Sequence, residues 1–181
     1  MRRIITYLVF AVVLGLLGLL AFMRRDHKVE LVVTYQNTAP GAVWRLLTDH
    51  AAEPAWLPAF GSVVRQPDIA GHAVWTHSGR DQSFNFTLMT ITAIPEQRYE
   101  RILLRDRQPR NQSWDGRWVF ELEPRGTGTQ LRITEYGWTD GFPFFIQQRV
   151  LGSPDAFLKF YAETIGQTLK VPTTIQVLRS H

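Results

Sequence analysis

In the stretch DGRWVFELEPRGTGTQLRITEYG, Asp115 to Gly137, apolar residues alternate with polar ones. Trp118, Phe120 and Leu122 mark the first arm, and Leu131 and Ile133 the second. The next position of that parity is Glu135. Period-two alternation is that of a strand with one buried face, so Glu135 is expected to point inward near a strand end. A buried carboxylate has a raised pKa and can serve as general acid or base, or hold a polar group of a ligand. The competing reading is a solvated strand end, or an ion pair with an Arg on a neighbouring strand, because structural ion pairs also place charges in clefts.

Few other residues form a recognisable reactive set. His72 and His77 are five apart on one strand and so face opposite ways. His27, His50 and His181 are far apart in sequence and sit at segment ends. The histidines therefore give no expected metal site, and no cofactor is expected. No H-E-x-x-H, G-x-S-x-G, P-loop or G-x-G-x-x-G pattern occurs. RGTGT is a hairpin turn between strands rather than a phosphate cradle before a helix. Ser62, Ser78 and Ser83 lack a recognisable partner set.

Composition narrows the classes further. The chain has 181 residues, with 45% apolar, 20% charged and 12% aromatic residues, which suits one folded domain with a real core. The absence of Cys removes disulfides, Cys-ligated zinc and thiol catalysis. The net charge of +4 is scattered among many acids, and no basic run interleaves with aromatics. Nucleic acid is therefore not an expected partner.

The elements that must position these residues follow from periodicity. KVELVVTYQ, Lys28 to Gln36, reads as a strand. Thr38 is placed to cap a helix over about Pro40 to Thr48, with Val43, Leu46 and Leu47 inward. HAAEPAWLPAF is a second short helical or turn segment broken by Pro54 and Pro58. Six further strands are expected over 62–66, 73–77, 83–94, 98–105, 116–123 and 129–138, joined by short turns into an antiparallel meander. In 83–94, Phe84, Phe86 and Leu88 hold one parity while Met89, Ile91 and Ala93 hold the other. Either both faces are covered or a bulge switches the pleat. A long helix then follows, with Ser153 as cap, Pro154 at its first position and Asp155 in its first turn. Phe157, Phe160, Tyr161, Ile165 and Leu169 form its apolar stripe. A curved sheet wrapped on one helix leaves interior space. Trp56, Trp75, Trp118, Phe120, Phe157 and Tyr161 are the candidates to line it, with Trp138 read either as a further wall or as a strand end, and Glu135 as the polar contact.

Ahead of this lies IITYLVFAVVLGLLGLLAF, Ile4 to Phe22, free of charge and long enough at about 1.5 Å per residue to span a bilayer core of ~30 Å. It is longer than a signal-peptide core, and Leu19 with Ala21 makes a poor cleavage site. Residues 1–25 are read as an uncleaved anchor and 23–28 as a short polar link. Arg2 and Arg3 before the span and Arg24, Arg25 and Lys28 after it nearly balance. The short basic tail favours an extracytoplasmic domain.

Residues 28–178 form the expected single domain, of class α+β. APGAVWRLLTDHAAEPAWLPAF, ITAIPEQRYERIL, DGRWVFELEPRGTGTQLRITEYG and FPFFIQQRVLG together resemble, in order and spacing, the SRPBCC superfamily (START-like, Bet v 1-like helix-grip fold), in its polyketide cyclase/dehydrase-like branch. The resemblance covers about residues 28–170. It implies a curved antiparallel sheet of about seven strands around a long C-terminal helix, with two short helices after the first strand; the transmembrane helix read from Ile4 to Phe22 precedes it. It also implies a cavity for a lipid or other apolar molecule, and in a minority of members cyclisation or hydrolysis. Fold does not fix function. The leading expectation is a membrane-anchored carrier of an apolar ligand. An enzyme using Glu135 would need a second group, for which His77, Arg101 and Arg117 are the candidates. A third reading is an interaction module in a membrane complex.

Overall fold

Strands β6 (Trp114–Arg125) and β7 (Gly128–Thr139) pair in the register that the alternation predicts. Trp118 lies opposite Glu135, Phe120 opposite Ile133 and Leu122 opposite Leu131. Gly126, with φ of 60°, makes the tight turn between them. These relations come from a computed structural model, which describes residues 25–80, 84–104, 114–139 and 155–180, and parts of 6–18.

Six more strands complete one antiparallel sheet: β1 (Arg25–Tyr35), β2 (Phe60–Ile69), β3 (His72–Gly79), β4 (Asn85–Ile94), β5 (Arg98–Leu103) and β8 (Thr173–Ser180). The order is β2-β3-β4-β5-β6-β7-β1-β8. The eighth strand is an addition to the seven expected. Its segment is short and follows the long helix, and pairing with β1 is what fixes it. The link expected over 23–28 is likewise corrected. β1 starts at Arg25, because its backbone already pairs with Thr139 of β7.

Two helices follow β1: α1 (Pro40–Thr48) and, after a single 3-10 turn over His50–Ala52, the one-turn α2 (Glu53–Trp56). Thr38 does not cap α1. Its hydroxyl donates to the Gln36 carbonyl at 3.0 Å, and Ala39 holds the cap position. Val43 and Leu47 are buried as expected. Pro54 starts α2 rather than breaking it, because the first turn needs no N–H from that residue.

The long helix α3 (Ala156–Leu169) begins after Asp155, which occupies the cap position in place of Ser153. Ser153, Pro154 and the lead-in over 142–152 lie outside the described residues. The buried stripe is Leu158, Tyr161, Ala162 and Ile165, whereas Phe157 and Phe160 are 42% and 40% exposed. The expected stripe is thus corrected by a roll of roughly 50°, about half the step between successive residues. Tyr161 and Ile165 stay inside, and Leu158 replaces Phe157. The helix ends at Lys170 in the left-handed conformation, and Val171 N–H returns to the Gly166 carbonyl at 3.1 Å. Gly166 lies so close to Thr173 that a side chain there would collide with it, which seats β8 against the helix.

The core lies between the concave face and these helices. Leu31, Val33, Tyr35, Phe120, Leu122, Leu131 and Ile133 meet Leu158, Tyr161 and Ile165 there. Each buried Leu, Ile or Val contributes on the order of 1.5–3 kcal/mol. The Tyr35 hydroxyl donates to the Ala162 carbonyl at 3.0 Å and ties β1 to α3. In β4 the register shifts between Thr90 and Thr92, so a bulge does switch the pleat. Phe84, Phe86 and Leu88 join the core before it. Ala93 faces Tyr99 after it.

Of the N-terminal apolar segment, Tyr7, Phe10, Val12, Val13 and Leu14 are helical and exposed. Among the described residues no helix is long and apolar enough to cross a membrane. Ile4 and Phe22, the expected limits of the span, lie outside the described residues.

Candidate functional site

The site begins in the 3-10 turn. Asp49 accepts the Ala52 N–H at 3.3 Å and fixes that turn. His50 and Glu53 are three residues apart, one helical turn, so both side chains leave the same side of the segment. That side faces the sheet. Strand parity supplies the rest: Arg101 pairs with Trp118, Tyr99 with Phe120, and His77 with Phe86.

Glu53 is the centre. Its Oε1 accepts from His50 Nδ1 at 2.8 Å and its Oε2 from His77 Nε2 at 2.8 Å. Arg101 Nη1 donates to Oε1 at 3.4 Å. Glu53 and His77 have no exposed surface, His50 has 3% and Arg101 5%. An ionised carboxylate only accepts, which sets the protons on both rings. In the neutral rings, His50 carries its proton on Nδ1 and His77 on Nε2. The Tyr99 hydroxyl, 2.5 Å from His50 Nε2, is then the donor to it, and Thr90 donates to Tyr99 at 3.0 Å.

The electrostatics agree with this proton pattern. Burial would raise the Glu53 pKa, but the bonds from His50 and His77 and the charge of Arg101 hold it well below the usual carboxylate range. Burial lowers the pKa of His77, and the bond to Glu53 offsets this only in part. Arg101 stays charged: burial opposes it, and the neighbouring Tyr161 and Glu53 prevail. With the His77 imidazole neutral, the negative charge of Glu53 and the positive charge of Arg101 cancel.

His50, Glu53 and His77 also have the donor types of a divalent-metal site, with ligand atoms within 4.8 Å of one another. The reading that the histidines are unrelated is therefore corrected, since tertiary structure joins two of them. Charge favours the hydrogen-bonded cluster over a metal centre. A dication added to Glu53 and Arg101 would leave a net +2 in a buried site, and each buried ion is penalised by several kcal/mol.

Around Arg101 the walls are aromatic. Its guanidinium carbon lies 5.2 Å from the Phe120 ring, 5.7 Å from Tyr161 and 5.9 Å from Trp118. Trp56 meets Tyr161 edge to face at 5.5 Å. Several polar atoms here have no hydrogen-bond partner among the described residues: Trp56 Nε1, His77 Nδ1 and Arg101 Nε. The Tyr161 hydroxyl lies beside Arg101, yet completes no bond of normal geometry. A buried polar group left unmade is penalised by ~1–3 kcal/mol, so such a cluster marks where a ligand or ordered water belongs.

The expected lining residues divide between this centre and its margins. Trp56, Trp118, Phe120 and Tyr161 are buried around Arg101. Trp75 lies next to His50, with ring centres 5.3 Å apart, and carries the Arg65 guanidinium 5.3 Å from its ring. Phe157 is on the exposed side of α3, 6.3 Å from the Tyr161 ring. Glu135 is half-buried on the inner face, opposite Trp118 and Val29. The side chain of Trp138 lies outside the described residues. Arg101 and His77, expected as possible helpers of Glu135, instead converge on Glu53. Glu53, His50 and Tyr99 are absent from the sequence-based set, although the His-x-x-Glu spacing in a short helical segment is a signal for the first pair.

Nearby, Gly61, Ser62, Ser78, Gly79, Arg80, Phe84 and Asn85 line an open cleft of about 500 Å³. The Phe84 ring packs on Phe60 and Phe86, at 5.6 and 5.5 Å. Phe60 and Phe86 both lie 5.2 Å from His77.

A curved eight-stranded antiparallel sheet closed by a C-terminal helix is the architecture of several solved proteins. Ara h 8.0201 superposes with a TM-score of 0.59 at 13% identity, over 81% of this chain and 99% of that one. Norcoclaurine synthase from Thalictrum flavum, in complex with dopamine and hydroxybenzaldehyde, gives 0.58 at 11% identity, over 83% and 89%. The fold is Bet v 1-like. The di-domain ARO/CYC StfQ of the steffimycin biosynthetic pathway gives 0.51 at 13% identity, over 79% of this chain and 46% of that one. No family model and no curated protein sequence matches the chain.

Proposed function

We propose that this Bet v 1-like domain binds an apolar small molecule, such as a lipid, that carries an oxygen acceptor, and that it does so tethered to a membrane. The observation that carries the reading is the buried Arg101 guanidinium, ringed by Trp118, Phe120 and Tyr161, with its Nε–H and the Trp56 Nε1–H both unmade. Apolar walls with a few convergent donors are the ordinary composition of a small-molecule site. A carbonyl or carboxylate oxygen reaching Arg101 Nε and Trp56 Nε1 would satisfy both donors at once, and the aromatic rings would cover its apolar part. A neighbour of the same fold holds dopamine and hydroxybenzaldehyde, which supports small-molecule binding as a use of this architecture.

The tether is the apolar segment Ile4 to Phe22, with the domain on the extracytoplasmic side. Support comes from its exposed helical side chains, Tyr7, Phe10, Val12, Val13 and Leu14, which are stable in hydrocarbon and unfavourable in water. It would hold the domain beside a store of apolar ligand. Native mass spectrometry of the full chain released from detergent tests the binding. A bound mass of defined value, lost on denaturation and absent from an Arg101→Met variant, is the expected result. A ligand-free mass after incubation with membrane lipid extract would count against it. A reporter fused to the C-terminus, active only outside the cytoplasm, tests the side of the membrane.

A further inference from the structure

We propose that His77 is a proton acceptor for the ligand: Glu53 fixes its Nε2–H, and the bare Nδ1 takes the proton of a weakly acidic O–H on the bound molecule. This deepens the binding reading above and rests on it. The argument starts from the carboxylate. Glu53 Oε2 lies 2.8 Å from His77 Nε2 and can only accept, so the ring proton is on Nε2. In the neutral ring the other nitrogen then presents a lone pair. That Nδ1 is buried and has no partner among the described residues. A carboxylate holding one imidazole nitrogen while the other stays bare is the arrangement of an oriented general base.

The surroundings fix the orientation of the ring. Phe86 stacks on one face of the His77 ring at 5.2 Å and 15°, and Phe60 meets it at 5.2 Å and 60°. The charged or titratable groups facing it are Glu53, His50, whose ring is 5.7 Å away, and Arg101 through Glu53. Apart from Glu53, none of them bonds His77. Phe84, on the wall of the open cleft, packs on Phe60 and Phe86, the two rings that lie against His77.

The step balances. The ligand O–H bond breaks, an Nδ1–H bond forms, and the electron pair stays on the ligand oxygen. The imidazolium keeps the Glu53 carboxylate on Nε2, and its new Nδ1–H donates to the ligand oxyanion, so the two new charges form a pair. Net charge in the buried site is zero before and after. The ligand class is therefore an apolar molecule with an acidic hydroxyl, a phenol or an enol, beside an acceptor oxygen.

The test uses the full chain in detergent and 4-nitrophenol, whose anion absorbs visibly. Nitrogen-15 NMR of the histidine rings is expected to show His77 protonated on Nε2 and bare on Nδ1. A proton on Nδ1 overturns the proposal without reference to any ligand. Bound probe is expected as the anion at a pH where most of the free probe is neutral. His77→Gln keeps a donor toward Glu53 and puts a non-basic amide oxygen in place of Nδ1, so any probe it binds should be the neutral phenol; anion bound to this variant would overturn the assignment to His77. Probe bound to wild type in neutral form overturns the proton transfer and leaves the binding reading standing. If neither 4-nitrophenol nor membrane lipid binds the wild type, both readings fall.

Discussion

Glu53 and His77 are 24 residues apart in the chain, on a one-turn helix and on a strand, and meet with Oε2 2.8 Å from Nε2. The carboxylate also receives His50 and Arg101, so one side chain joins α2, β3 and β5. It holds the buried Arg101 guanidinium in an ion pair. Its removal takes that counter-charge away.

Glu53→Gln is therefore expected to destabilise the fold by about 3–5 kcal/mol, the range for breaking a buried ion pair from one side. Gln also turns an amide N–H toward one of two imidazole donors. Urea unfolding of the full chain measures this, and a loss under 1 kcal/mol would show that Arg101 finds another partner.

Stability should fall with acid from near neutrality. His77 has a folded pKa below its ordinary 6.5, so its contribution is complete above that value and is lost as pH falls through the folded pKa. Glu53 also has a lowered pKa, and its contribution is lost in turn at pH below its ordinary 4.5. Thermal melts between pH 7.5 and 4 should show Tm declining from about pH 6.5 downward. His77→Gln should flatten the upper part of that decline. A Tm constant from pH 7 to 5 would contradict the buried neutral His77.

Trp56→Phe keeps an aromatic ring against Tyr161 and deletes the unmade Nε1–H. Ligand affinity should drop roughly two- to tenfold, the ~0.5–1.5 kcal/mol of one hydrogen bond, with Tm little changed. Titration followed by the remaining tryptophan fluorescence reads the affinity. Unchanged affinity would remove Trp56 from the polar contacts.

Glu135→Gln separates the two carboxylates. Glu135 is half-buried on the inner face, opposite Trp118 on β6 and Val29 on β1. The variant should bind ligand within about twofold of wild type and unfold within about 1 kcal/mol of it, as surface and rim substitutions do. A loss comparable to that of Glu53→Gln would restore Glu135 as the central acid.

Much of the frame was legible because it rests on local rules. The period-two pattern places Trp118, Phe120, Leu122, Leu131 and Ile133 on one face, and they are buried there. Pro40 sets the start of α1. The conflicting parities of Phe86 and Met89 left two readings of β4, and the register shift between Thr90 and Thr92 decides for the bulge. The stripe of α3 was legible only to within one residue, since Phe157 and Phe160 are as apolar as Leu158. Which side is buried depends on how the helix is rolled on the sheet. β8 was not legible, because TTIQVLRS has no strong alternation and is held by pairing with β1.

The site divides in the same way. By itself, the sequence determined that Glu135 shares a face with apolar residues, and that Trp56, Trp118, Phe120 and Tyr161 belong to the interior. These follow from strand parity and helix period, which are properties of neighbouring residues. Only the tertiary structure decided that His50, Glu53, His77 and Arg101 form one cluster. Their proximity comes from the curvature of the sheet and the seat of α2 over β3 and β5, which no spacing along the chain encodes. A charged residue in sequence looks the same whether water or another side chain will solvate it. Here the fold replaces water around Glu53 with two imidazoles and a guanidinium, and that replacement is what makes the site.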